Sequence, residues 1–255
     1  MSAATLMTRP EAQHVAPTWQ VAHSGESLVI VEIHVADRSA ANRLTRVFAA
    51  RVASENLPYV RDIVPAMTTL GVHYAPHLVE RDRTDVLPHR IVEERLKALL
   101  ADAATGSESA PRVIEIPVCY GGEQGPDLDE VADKCGLSAA EVVRLHRATL
   151  ADVMMIGFAP GHPYIGMLDS ALAIPRRATP RTAVPPGSIG LANCQSVIYP
   201  VTLPGGWNLI GRTPLQMFDP ARAEPCLLRA GDQVRFVSIT AAEFDALNEH
   251  VGVTP

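Results

Sequence analysis

Residues 180–214 read PRTAVPPGSIGLANCQSVIYPVTLPGGWNLIGRTP. Short β-prone runs at Ile189–Ala192, Val197–Val201 and Trp207–Ile210 alternate with proline and glycine. Proline fixes φ and removes a backbone donor, whereas glycine permits positive φ and close backbone approach. Such punctuation ends each strand early and makes stiff, closely packed loops. Two further runs follow, Leu215–Phe218 and Gln233–Ile239. Short strands at this spacing predict a closed or nearly closed β-barrel, occupying about residues 111–240.

Upstream the period changes. Val31, Ile33 and Val35 alternate with Glu32 and His34, as in a strand with one wet face. Ser39 stands as the N-cap of a helix carrying Leu44, Val47, Phe48 and Val52 at helical spacing. Strands are expected at Tyr59–Val64 and around Leu70, Val72 and Tyr74, a helix at Val86–Leu100, and a strand at Arg112–Val118. This order, strand–helix–strand–strand–helix–strand, matches a split βαββαβ ferredoxin-like unit over 21–105. Ala101–Pro111 reads as a linker, so the Arg112 strand fits either unit. Within the second unit, Asp127 with Glu130 and Ser138 with Glu141 are capping pairs, and the second helix is expected to reach Leu150. Residues 1–20 read as a flexible arm and 241–255 as a tail, in which Ala241–His250 forms a small helix. The fold class is therefore α+β.

The chain has 255 residues, 47% hydrophobic and 20% charged, which supports packed cores and excludes a disordered chain. Its net charge of -6, without a basic run, argues against nucleic acid as a partner. The four cysteines, 119, 135, 194 and 226, form no close pair, so neither a zinc ribbon nor a disulfide framework is expected, and no metal is assigned. The acidic residues Asp127, Asp129 and Glu130 are explained by the electrostatics of a helix start. With no export signal or membrane span in view, a cytoplasmic protein is expected.

The polar residues on the stiff loops are the candidate site. Arg212 either grips a carboxylate or phosphate in a fork, with Thr213 supplying a hydroxyl, or ties two loops through backbone carbonyls. Arg181 has the same two readings. Gln195 orients an amide or braces a turn. Trp207 and Tyr199 wall a pocket or pack in a core. His162 titrates near neutrality and is a candidate acid or base. Cys194 is a nucleophile only with a base beside it, and otherwise an inert thiol. No P-loop and no kinase-type glycine loop occurs. After Pro204, Gly205 and Gly206 offer backbone amides to a phosphate.

Five stretches together resemble a known family: IPVCYGGEQGPDLDEVA, MIGFAPGHPYIG, PRTAVPPGSIGLANCQSVIYP, TLPGGWNLIGRTPLQMFDP and LLRAGDQVRF. In this order they resemble the KipI-like proteins, a family that includes the B subunits of 5-oxoprolinase and is also named allophanate hydrolase subunit 1. The resemblance is strong over about 111–240 and fainter through SGESLVIVEI and Leu57–Pro76. The chain departs from the family pattern at Cys194, Ser196 and His162, where Gly, Thr and an aromatic are common.

The resemblance implies a cyclophilin-like β-barrel and a KipA-like partner, the C subunit of 5-oxoprolinase. It also implies ATP-dependent opening of 5-oxoproline to glutamate, with Mg2+ and a separate A subunit of 5-oxoprolinase. On that reading Arg212, Thr213 and Gln195 serve the chemistry. Arg181, Tyr199, Trp207 and His162 bind substrate, and Gly205 and Gly206 approach a nucleotide. Two other roles known in the family are inhibition of a sensor histidine kinase and urea or allophanate chemistry.

Overall fold

Period-2 alternation organises the first third of the chain. In the computed structural model, which describes residues 17–80, 85–102 and 110–251, β1 (Thr18–His23), β2 (Leu28–His34), β3 (Val60–Pro65) and β4 (Thr69–Tyr74) form one antiparallel sheet of order β1-β2-β4-β3. Val29, Val31 and Ile33 of β2 and Leu70 and Val72 of β4 are buried. Their core is shared with Phe48 and Val52 of α1 (Arg38–Ser54) and with Val92, Leu96 and Leu99 of α2 (Pro88–Asp102). Each such fully buried aliphatic side chain contributes about 1.5–3 kcal/mol over an exposed one.

The rest of the chain is β5 (Val113–Tyr120), α3 (Leu128–Cys135), α4 (Ala139–Arg147), β6 (Ala151–Ile156), β7 (Pro163–Gly166), β8 (Arg181–Val184), β9 (Ser188–Ala192), β10 (Gln195–Ile198), β11 (Leu203–Gly205), β12 (Asn208–Arg212), β13 (Gln233–Ile239) and α5 (Ala241–Val251). Seven strands close a barrel in the order β10-β7-β6-β13-β5-β12-β9. The β9–β10 hairpin seals it, and β13 runs parallel to β5 over its whole length. Ile116, Val118, Val153, Ile165, Ile189, Leu191 and Ile210 belong to the barrel's core. A two-stranded ribbon, β8 with β11, stands beside the barrel. Its Val184 packs with Tyr199, Trp207 and Leu209 in a separate small cluster. Sheet and barrel are tied by Asn42 of α1, whose buried amide donates to the carbonyl of Met154 at 2.8 Å.

Several expectations change. The arm expected through residue 20 gives way to β1 from Thr18, while residues 1–16 lie outside the described residues. β1 pairs with β2 at the sheet edge, the place that a fourth βαββαβ strand would take. The strand after α2 instead pairs with β12 and β13 in the barrel. Helix α2 starts at Pro88 rather than Val86, and most of the expected linker falls in residues 103–109, outside the described ones.

The cap of α1 is Asp37, which accepts from Ser39 N and Ala40 N at 3.1 and 3.0 Å, so Ser39 lies inside the helix. Asp127 makes no capping bond, because its carboxylate is engaged elsewhere. Ser138 does cap α4, which stops at Arg147 because β6 begins at Ala151. Leu215–Phe218 forms no strand; Phe218 makes a single bridge to Cys226 in a segment bracketed by Pro214 and Pro220. Among the described residues no helix is long and apolar enough to cross a membrane.

Candidate functional site

Beside the small cluster is a cavity of about 270 Å³. Trp207, Tyr164, Tyr199, Phe158 and His162 line it. The aromatic rings meet edge-on: Tyr164 is 6.1 Å from Trp207, and Tyr199 is 5.2 Å from the His162 ring. Edge-to-face aromatic pairs of this kind contribute about 0.5–1.5 kcal/mol beyond burial. The loop Pro204–Gly206 and Pro180 complete the lining.

His162 is 1% exposed and, among the described residues, neither ring nitrogen has a hydrogen-bond partner. Burial is the main cause that lowers its pKa to about 4, and the nearby Arg176 charge adds to the fall. The imidazole is therefore neutral near pH 7, with one donor and one acceptor unsatisfied. Tyr199 is buried, and its hydroxyl is pushed up to about 12, mainly by burial. Arg176 lies over the Trp207 ring with its guanidinium carbon 4.8 Å from the centroid, a cation–π contact.

The neighbouring arginines are committed. Asp127 is 4% exposed and accepts a fork from Arg181 at 2.9 and 2.7 Å, a bond from Arg177 at 3.1 Å, and the Leu209 backbone N–H at 2.7 Å. Arg181 is thus spent on one buried carboxylate, Arg177 is shared between it and Glu130 at 2.8 Å, and of these three arginines it is Arg176 that lines the cavity.

The expected residues therefore separate. His162, Tyr199, Trp207, Gly205 and Gly206 come together on the cavity. Arg181, Arg212, Thr213 and Gln195 do not line it. Arg181 serves as the anchor of Asp127. Arg212 donates from Nε to the Pro186 carbonyl at 2.8 Å, the loop-tying role, and lies near the Phe244 ring. The Thr213 hydroxyl is buried and accepts from Leu215 N at 3.3 Å. Gln195 packs against Gly166, with its side-chain nitrogen buried and, among the described residues, unpartnered.

Gly205 has a specific reason to be glycine. A Cβ there would stand 1.9 Å from the Tyr199 hydroxyl. The loop's close approach is thus to the tyrosine. A Cβ on Gly206 meets only ordinary contacts from 3.6 Å outwards.

Cys194 shares the β9–β10 turn with Asn193, and both have positive φ, 58° and 51°. Its thiol pKa is raised by burial and then by the Asp169 charge, opposite to the shift of an activated nucleophile.

Sequence reasoning missed two residues. Arg176 sits in the pair Arg176–Arg177, and nothing local tells which of the two is neutralised. His146 of α4 is buried between the Tyr120 hydroxyl at 2.8 Å and Ser196 Oγ at 3.1 Å. Ser196 donates to the Gly190 carbonyl, so it accepts from His146 Nε2–H, and Nδ1 accepts from Tyr120. That closed chain holds a neutral imidazole whose pKa burial lowers to about 3. It braces the barrel wall and does not line the cavity.

With this geometry in place, the likeness to known proteins is informative. Residues 19–228 match the family described as carboxyltransferase domain, subdomain C and D. A Bacillus subtilis (strain 168) protein, named as the B subunit of 5-oxoprolinase, is 38% identical over 233 residues, 91% of this chain and 97% of that protein. The crystal structure of TTHA0988 aligns with TM-score 0.70 at 35% identity, covering 84% of this chain, which spans only 40% of the length of that one. The Kluyveromyces lactis urea amidolyase structure aligns with TM-score 0.75 at 16% identity, covering 96% of this chain and 16% of its own, a likeness of fold. The chain belongs to the family of carboxyltransferase subdomains C and D in which the 5-oxoprolinase B subunits stand.

Proposed function

We propose that this chain is the B subunit of a cytoplasmic, hetero-oligomeric, ATP-dependent 5-oxoprolinase, and that the aromatic cavity receives 5-oxoproline. The observation that carries this reading is the juxtaposition of the unpartnered neutral His162 with Arg176 across a small aromatic box. 5-Oxoproline is a five-membered lactam with one N–H donor, one carbonyl acceptor and a carboxylate. A neutral imidazole offers a lactam one hydrogen bond, donating to its carbonyl or accepting from its N–H, because the two ring nitrogens point apart. Arg176 complements the carboxylate. A bond to one His162 nitrogen satisfies a buried polar group that costs about 1–3 kcal/mol when left bare. The name carried by the Bacillus subtilis relative supports the same substrate.

A cavity of about 270 Å³ suits one small ring acid. Gly205 is committed to Tyr199, and Arg181 to Asp127. The residues of this cavity therefore do not fit ATP, and no step through ATP or Mg2+ is assigned to them. On this reading nucleotide binding belongs to the assembled complex with a KipA-like protein, the C subunit, and completion of hydrolysis to a separate A subunit.

The same reading puts the docking face for the KipA-like protein at the cavity mouth. There Phe158 is 64% exposed and held at φ +73°, a costly conformation for a bulky residue. An exposed aromatic at such a site suits an interface anchor. At the level of architecture, the sheet is read as a ferredoxin-like unit whose missing strand is supplied by β1, and the barrel as cyclophilin-like.

The test is 5-oxoproline-dependent ATP hydrolysis by this chain alone, by its KipA-like partner alone, and by the two mixed with the A subunit of 5-oxoprolinase. Turnover only in the full mixture supports the proposal. Turnover with urea or allophanate in place of 5-oxoproline would reassign the substrate. No turnover, with inhibition of histidine kinase autophosphorylation, would reassign the protein as a regulator.

A further inference from the structure

On the side of the sheet, far in sequence from the cavity, β1 and α2 bring three metal-ligating residues together. His89 and Glu93 are one helical turn apart on α2, so their side chains share a face. His23 ends β1, the edge strand against which α2 packs. His23 Nδ1 is 3.1 Å from Glu93 Oε1, and the two imidazole rings stack at 4.0 Å. One ligand atom from each of the three lies within 4.8 Å of the others.

We infer that His23, His89 and Glu93 form a binding site for a divalent transition metal of the zinc class. The donor set is two imidazoles and one carboxylate. Borderline cations favour that set, and it leaves a coordination position for water. Glu93 is 3% exposed, which fixes one ligand in a rigid wall, whereas the His23 side chain is 44% exposed and free to adjust. Zinc–nitrogen and zinc–oxygen bonds of about 2.0–2.2 Å require the donors to draw closer than they stand. The exposed His23 ring supplies that movement.

Arg90 lies 3.4 Å from the other Glu93 oxygen, Oε2, so the carboxylate is left to bind through Oε1 alone. An entering cation takes the place of the His23–Glu93 contact at Oε1, while Arg90 stays at Oε2. This site is independent of the proposed function.

The experiment uses the full-length protein stripped with chelator and then titrated with Zn2+ and with Co2+. Expected are saturation at a single ion per chain, visible d–d absorption from the cobalt form, and a rise in melting temperature on adding zinc. His23→Gln and His89→Gln are expected to weaken binding by about tenfold or more each, with unchanged far-UV circular dichroism. A double variant that binds zinc as tightly as the parent, or a parent protein that takes up no stoichiometric metal, overturns the inference.

Discussion

The Tyr199 hydroxyl fills the space that a Cβ on Gly205 would need, with 1.9 Å between them. The cavity wall and the loop above it are therefore one packed unit. Gly205→Ala is expected to lower the unfolding free energy by about 1–3 kcal/mol, the usual cost of overpacking. Gly206→Ala, next door, should stay within about 0.5 kcal/mol because its Cβ meets only ordinary contacts. Urea denaturation of the two variants checks the contrast, and equal losses would mean that the Tyr199 contact is not the reason.

Asp127 gathers Arg177, Arg181 and the Leu209 amide on one buried carboxylate. Asp127→Asn keeps the shape and removes the charge. It is expected to cost about 3 kcal/mol, because the partly buried Arg181 loses its carboxylate and Arg177 keeps only Glu130. A loss under about 1 kcal/mol in chemical denaturation would show that Arg181 is available to a ligand after all.

The Asn193–Cys194 turn places both residues at positive φ, the pattern of a two-residue type I′ hairpin, for which Asn-Gly is favoured. Cys194→Gly removes the left-handed penalty of about 1–2 kcal/mol and gives up little contact, since Cys194 is only partly buried. A net gain of about 0.5–1 kcal/mol is expected in thermal or urea unfolding. Destabilisation would mean that the thiol packs better than its position suggests.

Acid stability should carry the mark of two buried neutral histidines. His146 and His162 titrate at about 3 and about 4 in the fold and near 6.5 when unfolded. Between those limits the unfolded chain binds more protons, so stability falls as pH drops from about 6.5 toward about 3 and is fully present above. Each histidine contributes up to about 1.4 kcal/mol per pH unit in that window. His146→Gln should flatten the acid limb of stability against pH, and nitrogen NMR should find the parent His146 neutral, protonated at Nε2. An imidazolium signal at pH 6 would contradict the Tyr120–His146–Ser196 chain.

Much of the architecture was legible because it is written in local periodicity. Val31 and Ile33 alternate and lie on a sheet, Ile189–Ala192 is a barrel strand, and Ser138 with Glu141 begins a helix. What failed was decided by distant partners. The strand after α2 has the composition of any half-buried strand, and only the pairing of Val113–Tyr120 with β12 and β13 assigns it to the barrel.

The site divides in the same way. Aromatic and glycine residues near the cavity, Tyr199, Trp207 and Gly205, stood out from the sequence because rigid loops concentrate them. The arginines did not sort themselves. Arg176, Arg177 and Arg181 look alike along the chain, and a carboxylate some fifty residues upstream, at Asp127, decides that two of them are structural. Nothing local singles out His146; its role is set by Tyr120 and Ser196, which close around it from other strands.

The most direct test of the central claim is the affinity for 5-oxoproline of the parent and of Arg176→Ala, measured by calorimetry on the complex with the KipA-like protein. The account predicts binding by the parent and a loss of about 10–100-fold in the variant, the worth of a charge-assisted pair of about 1.5–3 kcal/mol. Unchanged affinity, with turnover intact, would contradict the placement of the substrate carboxylate at Arg176 and with it the assignment of the cavity.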